Sequence, residues 1–350
     1  MKKYLCFLFC LFLCLPLKAQ TDVIKEVFEN LNQDYIVEIT NREIALKGLK
    51  ALKEVDKNIN IKASSDAVFL YQSGKPADKF EMPEDEENMQ AWIDFCKKII
   101  EAGTKVSEKL DVLDFEIPDR FAKNVFEGLD GYSHYFGAFT GVDENPVKAR
   151  RQFASRVIDG VLLIRVLSFQ KNVSERIKEA VEECSACEGL ILDLRGNHGG
   201  FFDEAVKSAD LFLDEGIIAY TLSFEDATPE YQIATSGDIL QSKPMVVLLD
   251  GYTASAAEVL AASLSEQNRA TLIGTKTFGK GTVQDVKKIG DERAMALTTS
   301  FFYTPSGMKI DKIGLTPFIC TSDGEACERE DRLNKEEDID RAVLFIKTGM

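Results

Sequence analysis

Histidine is almost missing from this chain of 350 residues: His134 and His198 are the two it has, beside a single tryptophan. That scarcity starves a zinc site, because Cys184 and Cys187 form a CxxC pair with no matching set of further ligands. No metal or other cofactor is expected. Positive charge is also short, with 42 Lys and Arg against 58 Asp and Glu and a formal charge of −16. A chain that repels phosphate gains nothing from counterion release, so nucleic acid is excluded as a partner. Beyond the first residues no apolar run reaches the ~20 residues that cross a bilayer. Internal repeats and low-complexity tracts are absent.

What is present begins at the N-terminus. Residues 1–19 run from Lys2 and Lys3 through an apolar stretch to the small residue Ala19, the layout of a secretory signal peptide. The protein is then expected to be exported, periplasmic or extracellular, without a stable membrane span. None of Cys6, Cys10 and Cys14 follows the small residue of a lipoprotein cleavage site, so a lipid anchor is not expected. Removing Lys2, Lys3 and Lys18 with this segment takes the formal charge from −16 to −19. Of the remaining cysteines, Cys184 with Cys187 and Cys320 with Cys327 are spaced to close as disulfides in an oxidising compartment, leaving Cys96 odd.

Residues 20–136 read as a helical N-terminal domain. Val23, Ile24, Val27, Phe28 and Leu31 share a helix face, and Thr40 to Glu43 is a capping box opening a second helix. Residues 73–87, with Gly74, Pro76, Pro83 and a run of acids, read as a loop, and residues 88–110 as a third helix. From Gly160 the pattern changes to strands at 161–166, 190–194, 245–249 and 271–274 alternating with helices at 172–183, 203–213 and 255–265. This succession implies an α/β fold. Residues 294–303 follow as a long strand and 335–347 as an amphipathic helix.

In such folds chemistry collects on loops beyond the strand ends. Ser255 sits among small residues where a buried strand enters a helix, so free backbone N–H groups and the positive helix end lie beside its hydroxyl. Taken alone, Ser255-x-x-Glu258 is equally a helix capping box. A serine nucleophile needs a base, and neither histidine stands in a recognisable triad context. Lysine serves if burial lowers its pKa from about 10.4 toward neutrality. Lys280 meets that need: Gly279 and Gly281 flank it, Phe278 and Val283 give apolar cover, and Gln284 can orient an uncharged amine. By itself it is also an ordinary lysine of a Gly-rich turn.

In combination these segments resemble the C-terminal processing (tail-specific) serine peptidases. The resemblance runs from Val161 to Ile319, with the earlier segment Gly128-Leu129-Asp130-Gly131-Tyr132-Ser133-x-Tyr135. It is carried by Leu192-Asp193-Leu194-Arg195-x-Asn197-x-Gly199-Gly200, Thr253-Ala254-Ser255-Ala256-Ala257-Glu258, Thr277-Phe278-Gly279-Lys280-Gly281-x-x-Gln284 and Tyr303-Thr304-Pro305-Ser306-Gly307. It implies a crotonase-like ββα peptidase domain over residues 161–350 and hydrolysis of proteins or peptides, near C-termini or in unfolded segments, through an acyl-enzyme. Ser255 would be the nucleophile, Lys280 the base and Gln284 its support. The oxyanion amides would map to Ala256 and to Gly200 or Gly199. Homo-oligomerisation is left open.

Three departures stand out. Thr253 and Ala257 replace serines of the family motif, and His198 stands where proline is usual. Family members also normally carry a PDZ domain where this chain has a linker, the 24 residues 137–160; an independent domain needs about 50. Gly274-x-x-x-x-Gly279-Lys280 resembles a phosphate-binding loop but has Gly281 in place of the Mg²⁺-binding Ser or Thr. The remaining alternative is a non-catalytic peptide-binding or scaffold protein on the same fold, against which the joint retention of Ser255, Lys280 and Gln284 speaks.

Overall fold

The computed structural model describes residues 22–137, 152–223, 228–235, 237–290, 292–324 and 326–349. The signal peptide read at residues 1–19 lies outside them. The N-terminal apolar stripes form helices Val23–Asp34, Asn41–Gly48, Met89–Val106 and Ile117–Phe126. Thr40 and Glu43 complete the expected capping box. The unit is not wholly helical, however. Three antiparallel strands, β1 (Ile59–Ala63), β2 (Ala67–Gln72) and β3 (Lys75–Glu81), form a small sheet within it. Of β3 only Phe80 is buried, and an edge strand carrying Pro76 reads locally as a loop. The short strand β4 (His134–Phe136) leaves this unit to pair with the next.

The remaining strands are β5 (Phe153–Ile158), β6 (Val161–Val166), β7 (Leu190–Asp193), β8 (Ile217–Ser223), β9 (Glu230–Ile233), β10 (Met245–Leu249), β11 (Thr271–Gly274), β12 (Thr282–Ile289), β13 (Arg293–Tyr303) and β14 (Ile319–Cys320). Six make one sheet in the order β14-β11-β10-β7-β6-β5, parallel except where β5 meets β6. The end of the expected linker 137–160 is thus an edge strand of this sheet. Strands β7 and β10 are buried along their whole length because both faces are covered. Met245, Val247 and Leu249 face helices Val173–Glu183, Phe202–Asp210 and Ala256–Glu266, whereas Val246 and Leu248 face helix Glu336–Thr348.

A second, antiparallel sheet runs β12-β13-β8-β9, with β4 added to β13. Ile289, Met295 and Leu297 of β12 and β13 enter the N-terminal core beside Phe28 and Phe121. Arg293 pairs with Asp119 at 2.8 Å across the same seam. The N-terminal unit is therefore packed against the sheet whose first strand follows Lys280. Cys184–Cys187 and Cys320–Cys327 are disulfide-bonded, and Cys96 is a buried free thiol.

Candidate active site

Ser255 lies in the turn between β10 and helix Ala256–Glu266, with φ 57° and ψ −123°. L-residues rarely adopt this backbone, and it persists only where the surroundings impose it. The constraints come from both sides. Ala254 N–H donates to the Asn197 carbonyl at 2.9 Å, and the Thr253 carbonyl accepts from Phe278 N–H at 3.0 Å. The Ser255 turn is thus sewn to the loop after β7 and to the loop carrying Lys280.

Two buried carboxylates do most of this sewing. Asp250 accepts the N–H groups of Gly196, Tyr252 and Thr253, each at 3.0 Å. Glu258 completes the capping box at Ser255 but extends beyond it. Its Oε2 accepts from the backbone N–H groups of Ser255 and Lys280, both at 2.9 Å. Its Oε1 accepts from Gly279 N–H at 2.8 Å and from the Thr277 hydroxyl. Burial raises the pKa of each carboxyl, and the donated hydrogen bonds pull against that rise. With four donors pointing at two oxygens, Glu258 is filled as an acceptor-only carboxylate.

The glycines after β7 press against Ser255. A Cβ on Gly199 would lie 2.8 Å from the Ser255 Cβ, and one on Gly200 would lie 2.4 Å from the Phe169 carbonyl oxygen. Gly199 N–H is already donated to Asn197 Oδ1 at 2.8 Å. The Gly199 carbonyl accepts from Phe169 N–H at 2.9 Å. In a trans peptide the next N–H points the opposite way, so Gly200 N–H is turned away from Phe169. Ala256 is the first helical residue, and its N–H has no intrahelical acceptor.

The sequence pattern of Peptidase family S41 matches residues 160–320. Curated relatives include a carboxy-terminal-processing protease of Bartonella bacilliformis, 37% identical over 170 residues, which are 47% of this chain and 39% of that protein. Another is the carboxy-terminal processing protease CtpA of Bacillus subtilis, 37% identical over 156 residues, 44% of this chain and 33% of that one. Over residues 160–320 the chain is thus similar in sequence to peptidase family S41. The match spans between a third and two fifths of these curated relatives. Among solved structures, a photosystem II D1 C-terminal processing protease superposes with a TM-score of 0.50 at 17% identity, covering 86% of this chain and 92% of its own. A lipoprotein from Streptococcus agalactiae gives 0.52 at 15% identity, covering 90% and 99%. These two likenesses concern the fold alone.

On the other side of the candidate site, Lys280 is half-buried in its Gly-rich loop, and desolvation lowers its pKa, with Asp130 acting in the opposite direction. Its Nζ sits 5.0 Å from the centre of the Tyr132 ring. Among the described residues no carboxylate forms an ion pair with it. Asp130 Oδ1 accepts from the Tyr132 and Ser133 N–H groups at 2.7 Å, fixing this segment over the lysine. Ser133 Oγ lies 3.2 Å from Thr298 Oγ1, which accepts from Gln284 Nε2 at 3.2 Å; Gln284 Nε2 also reaches Thr282 Oγ1 at 2.8 Å. The Gln284 amide is thereby oriented by its nitrogen.

His198 is exposed and stands edge-on to Tyr252, with ring centres 5.8 Å apart. Among the described residues it has no hydrogen bond to Ser255. A groove of about 750 Å³ starts at Gln284 and Phe201 and continues past Val283, Asp285, Thr299 and Glu230. Ser255 and Lys280 are not in its lining, so it adjoins the candidate site and does not contain it. The sequence reading took Glu258 for a helix cap and missed Asp250, Asp130 and Tyr132 as site residues. The segment Gly128 to Tyr135 carried the family resemblance, and that was the available signal for the last two.

Proposed function

We propose that this chain is an exported serine endopeptidase in which Ser255 attacks the substrate carbonyl and Lys280 is the general base. The observation that carries the reading is Lys280 itself: an amine whose pKa desolvation lowers, without an ion-pair partner among the described residues, on a loop whose backbone is tied to the Ser255 turn through Glu258. Neutral Lys280 takes the Ser255 proton as the hydroxyl adds to the carbonyl. The oxyanion forms against the N–H groups of Ala256 and Gly200. Gly199 drops out as a donor because its N–H is spent on Asn197. The protonated lysine then returns its proton to the leaving amine, and water cleaves the acyl-enzyme by the same route.

Gln284 has its nitrogen engaged by Thr282 and Thr298, which leaves its carbonyl oxygen as an acceptor for a Lys280 N–H. Substrate lies extended in the groove beyond Gln284 and Phe201. Of the 24 residues at 137–160, six are β5, so the stretch leaves no room for a PDZ module, and selection falls to main-chain pairing and side-chain pockets. Export is supported by the layout of residues 1–19 and by the two disulfides. A fluorophosphonate probe tests the assignment. Ser255 should be the labelled residue, and the rate of labelling should rise with pH through the lowered Lys280 pKa. Labelling of another serine, or none, would refute it.

A further inference from the structure

Residues 327–332 cross behind all three loops of the site. The Glu328 carbonyl accepts from Lys276 N–H at 3.3 Å, and the Glu330 carbonyl from Gly251 N–H at 2.7 Å. Thr275 Oγ1 lies 3.2 Å from that same Glu330 oxygen. Arg332 N–H donates to Asp250 Oδ2 at 3.4 Å, and the Arg332 carbonyl accepts from buried Arg195 at 2.8 Å. Six consecutive residues thus hold the oxyanion loop, the Ser255 turn and the lead into Lys280. The approach is close: a Cβ on Gly251 would lie 2.9 Å from the Glu330 nitrogen.

The two ends of this strap are held differently. At its far end the Arg332 guanidinium is buried against Asp338 at 2.9 Å, beside helix Glu336–Thr348. At its near end the anchor is covalent. Cys327 is bonded to Cys320, the last residue of β14, which pairs with Gly274 directly ahead of the Lys280 loop. Between these anchors Glu328 and Arg329 are exposed, so apolar burial contributes little. Cys320 is exposed as well, within reach of a thiol reagent.

We propose that residues 327–332 are a positioning strap for the reaction and that the Cys320–Cys327 bond makes turnover depend on redox state. The proposal rests on the Ser255 and Lys280 reading above. The reductant is a dithiol: one thiolate attacks a protein sulfur, the S–S bond breaks, and closure of the reductant's own disulfide releases the second thiol. Two electrons and two protons pass to the protein. Freed from β14, the strap loses its register, and the Gly251 and Lys276 amides lose their fixed acceptors. Small displacements of this kind reduce rate more than binding.

The test uses the full chain with Cys184→Ser and Cys187→Ser, which leaves one disulfide. After dithiothreitol two additional thiols should be counted. Turnover of an unfolded reporter protein and fluorophosphonate labelling of Ser255 should fall together by about tenfold or more, with KM within about twofold, and both should return on reoxidation. Amide exchange should speed up at Gly251 and Lys276 and stay unchanged in β10. Unaltered labelling with both thiols counted overturns the proposal, and so does loss of protection throughout the parallel sheet, which would make the bond a staple of the whole fold. Should neither redox form cleave or label, the dyad reading fails and amide exchange at Gly251 and Lys276 still decides the strap. Wild-type protein, releasing four thiols, gives the same outcomes if the double variant does not fold.

Discussion

Between residues 22 and 126 the buried side chains are nearly all hydrocarbon, led by Trp92, Phe28, Phe121, Ile44 and Leu52, with Asn41, Asp56 and Ser107 as the buried polar ones. At the ends of β7, β10 and β11, Asp193, Arg195, Asn197, Asp250, Thr253, Glu258, Thr275 and Thr277 are all fully buried. Hydrocarbon packing fills volume and tolerates exchange of shape. Buried polar groups are stable only when each finds its partner at the right distance and angle, so they specify position. The N-terminal unit supplies bulk and one wall over Lys280, whereas the loops beyond the parallel strands supply the geometry.

The sharpest probe of that contrast is the dyad. Ser255→Ala, Lys280→Ala and the double variant should each lose on the order of 10³-fold or more in kcat, with the losses not adding, because a nucleophile and its base fail as one unit. Near wild-type turnover by Lys280→Ala would break the assignment. Next comes Glu258→Gln. Its amide nitrogen would face two of the four donors now accepted by the carboxylate, so kcat should fall about 100-fold while the secondary structure persists. Full activity would show that the staple is dispensable.

Tyr132 joins the two regions and should have an intermediate effect. Burial lowers the Lys280 pKa, so the neutral amine that the proposed base requires accumulates as pH rises through that value. Tyr132→Ala lets water reach the amine and moves the pKa back toward its ordinary value of about 10.4. The rate inflection should shift to higher pH, costing about tenfold near neutrality and recovering in alkali, whereas Tyr132→Phe keeps the profile. An unmoved inflection in Tyr132→Ala would remove the ring from the mechanism. The smallest effect on chemistry is expected from Phe121→Ala. It should reduce stability by about 3–5 kcal/mol, seen in the melting temperature, and leave kcat and its pH dependence unchanged for the folded enzyme.

The same contrast explains what could be read from sequence. Parallel strands such as Met245–Leu249 are continuous apolar runs and amphipathic helices repeat every three or four residues, so most of the α/β order was legible. Strands β1, β2 and β3 were not, because their burial depends on distant helices and β3 has one buried side chain. Ser255, Lys280 and Gln284 stood in recognisable motifs. Asp250 and Glu258 did not stand out, since the partners of a buried carboxylate lie on loops that only the fold brings near. Glu258 was read as a cap because its nearest partner is local; the two backbone amides beyond β11 are not.

The φ of 57° at Ser255 has an evolutionary side. A backbone of this kind costs about 1–3 kcal/mol for a residue with a side chain and little for glycine. Ser255→Gly should therefore melt at a higher temperature than Ser255→Ala, while being equally dead. On the role proposed for Ser255, mutational drift and thermal selection along this coordinate both run downhill toward a silent protein, and demand for the hydroxyl is what holds serine at the turn.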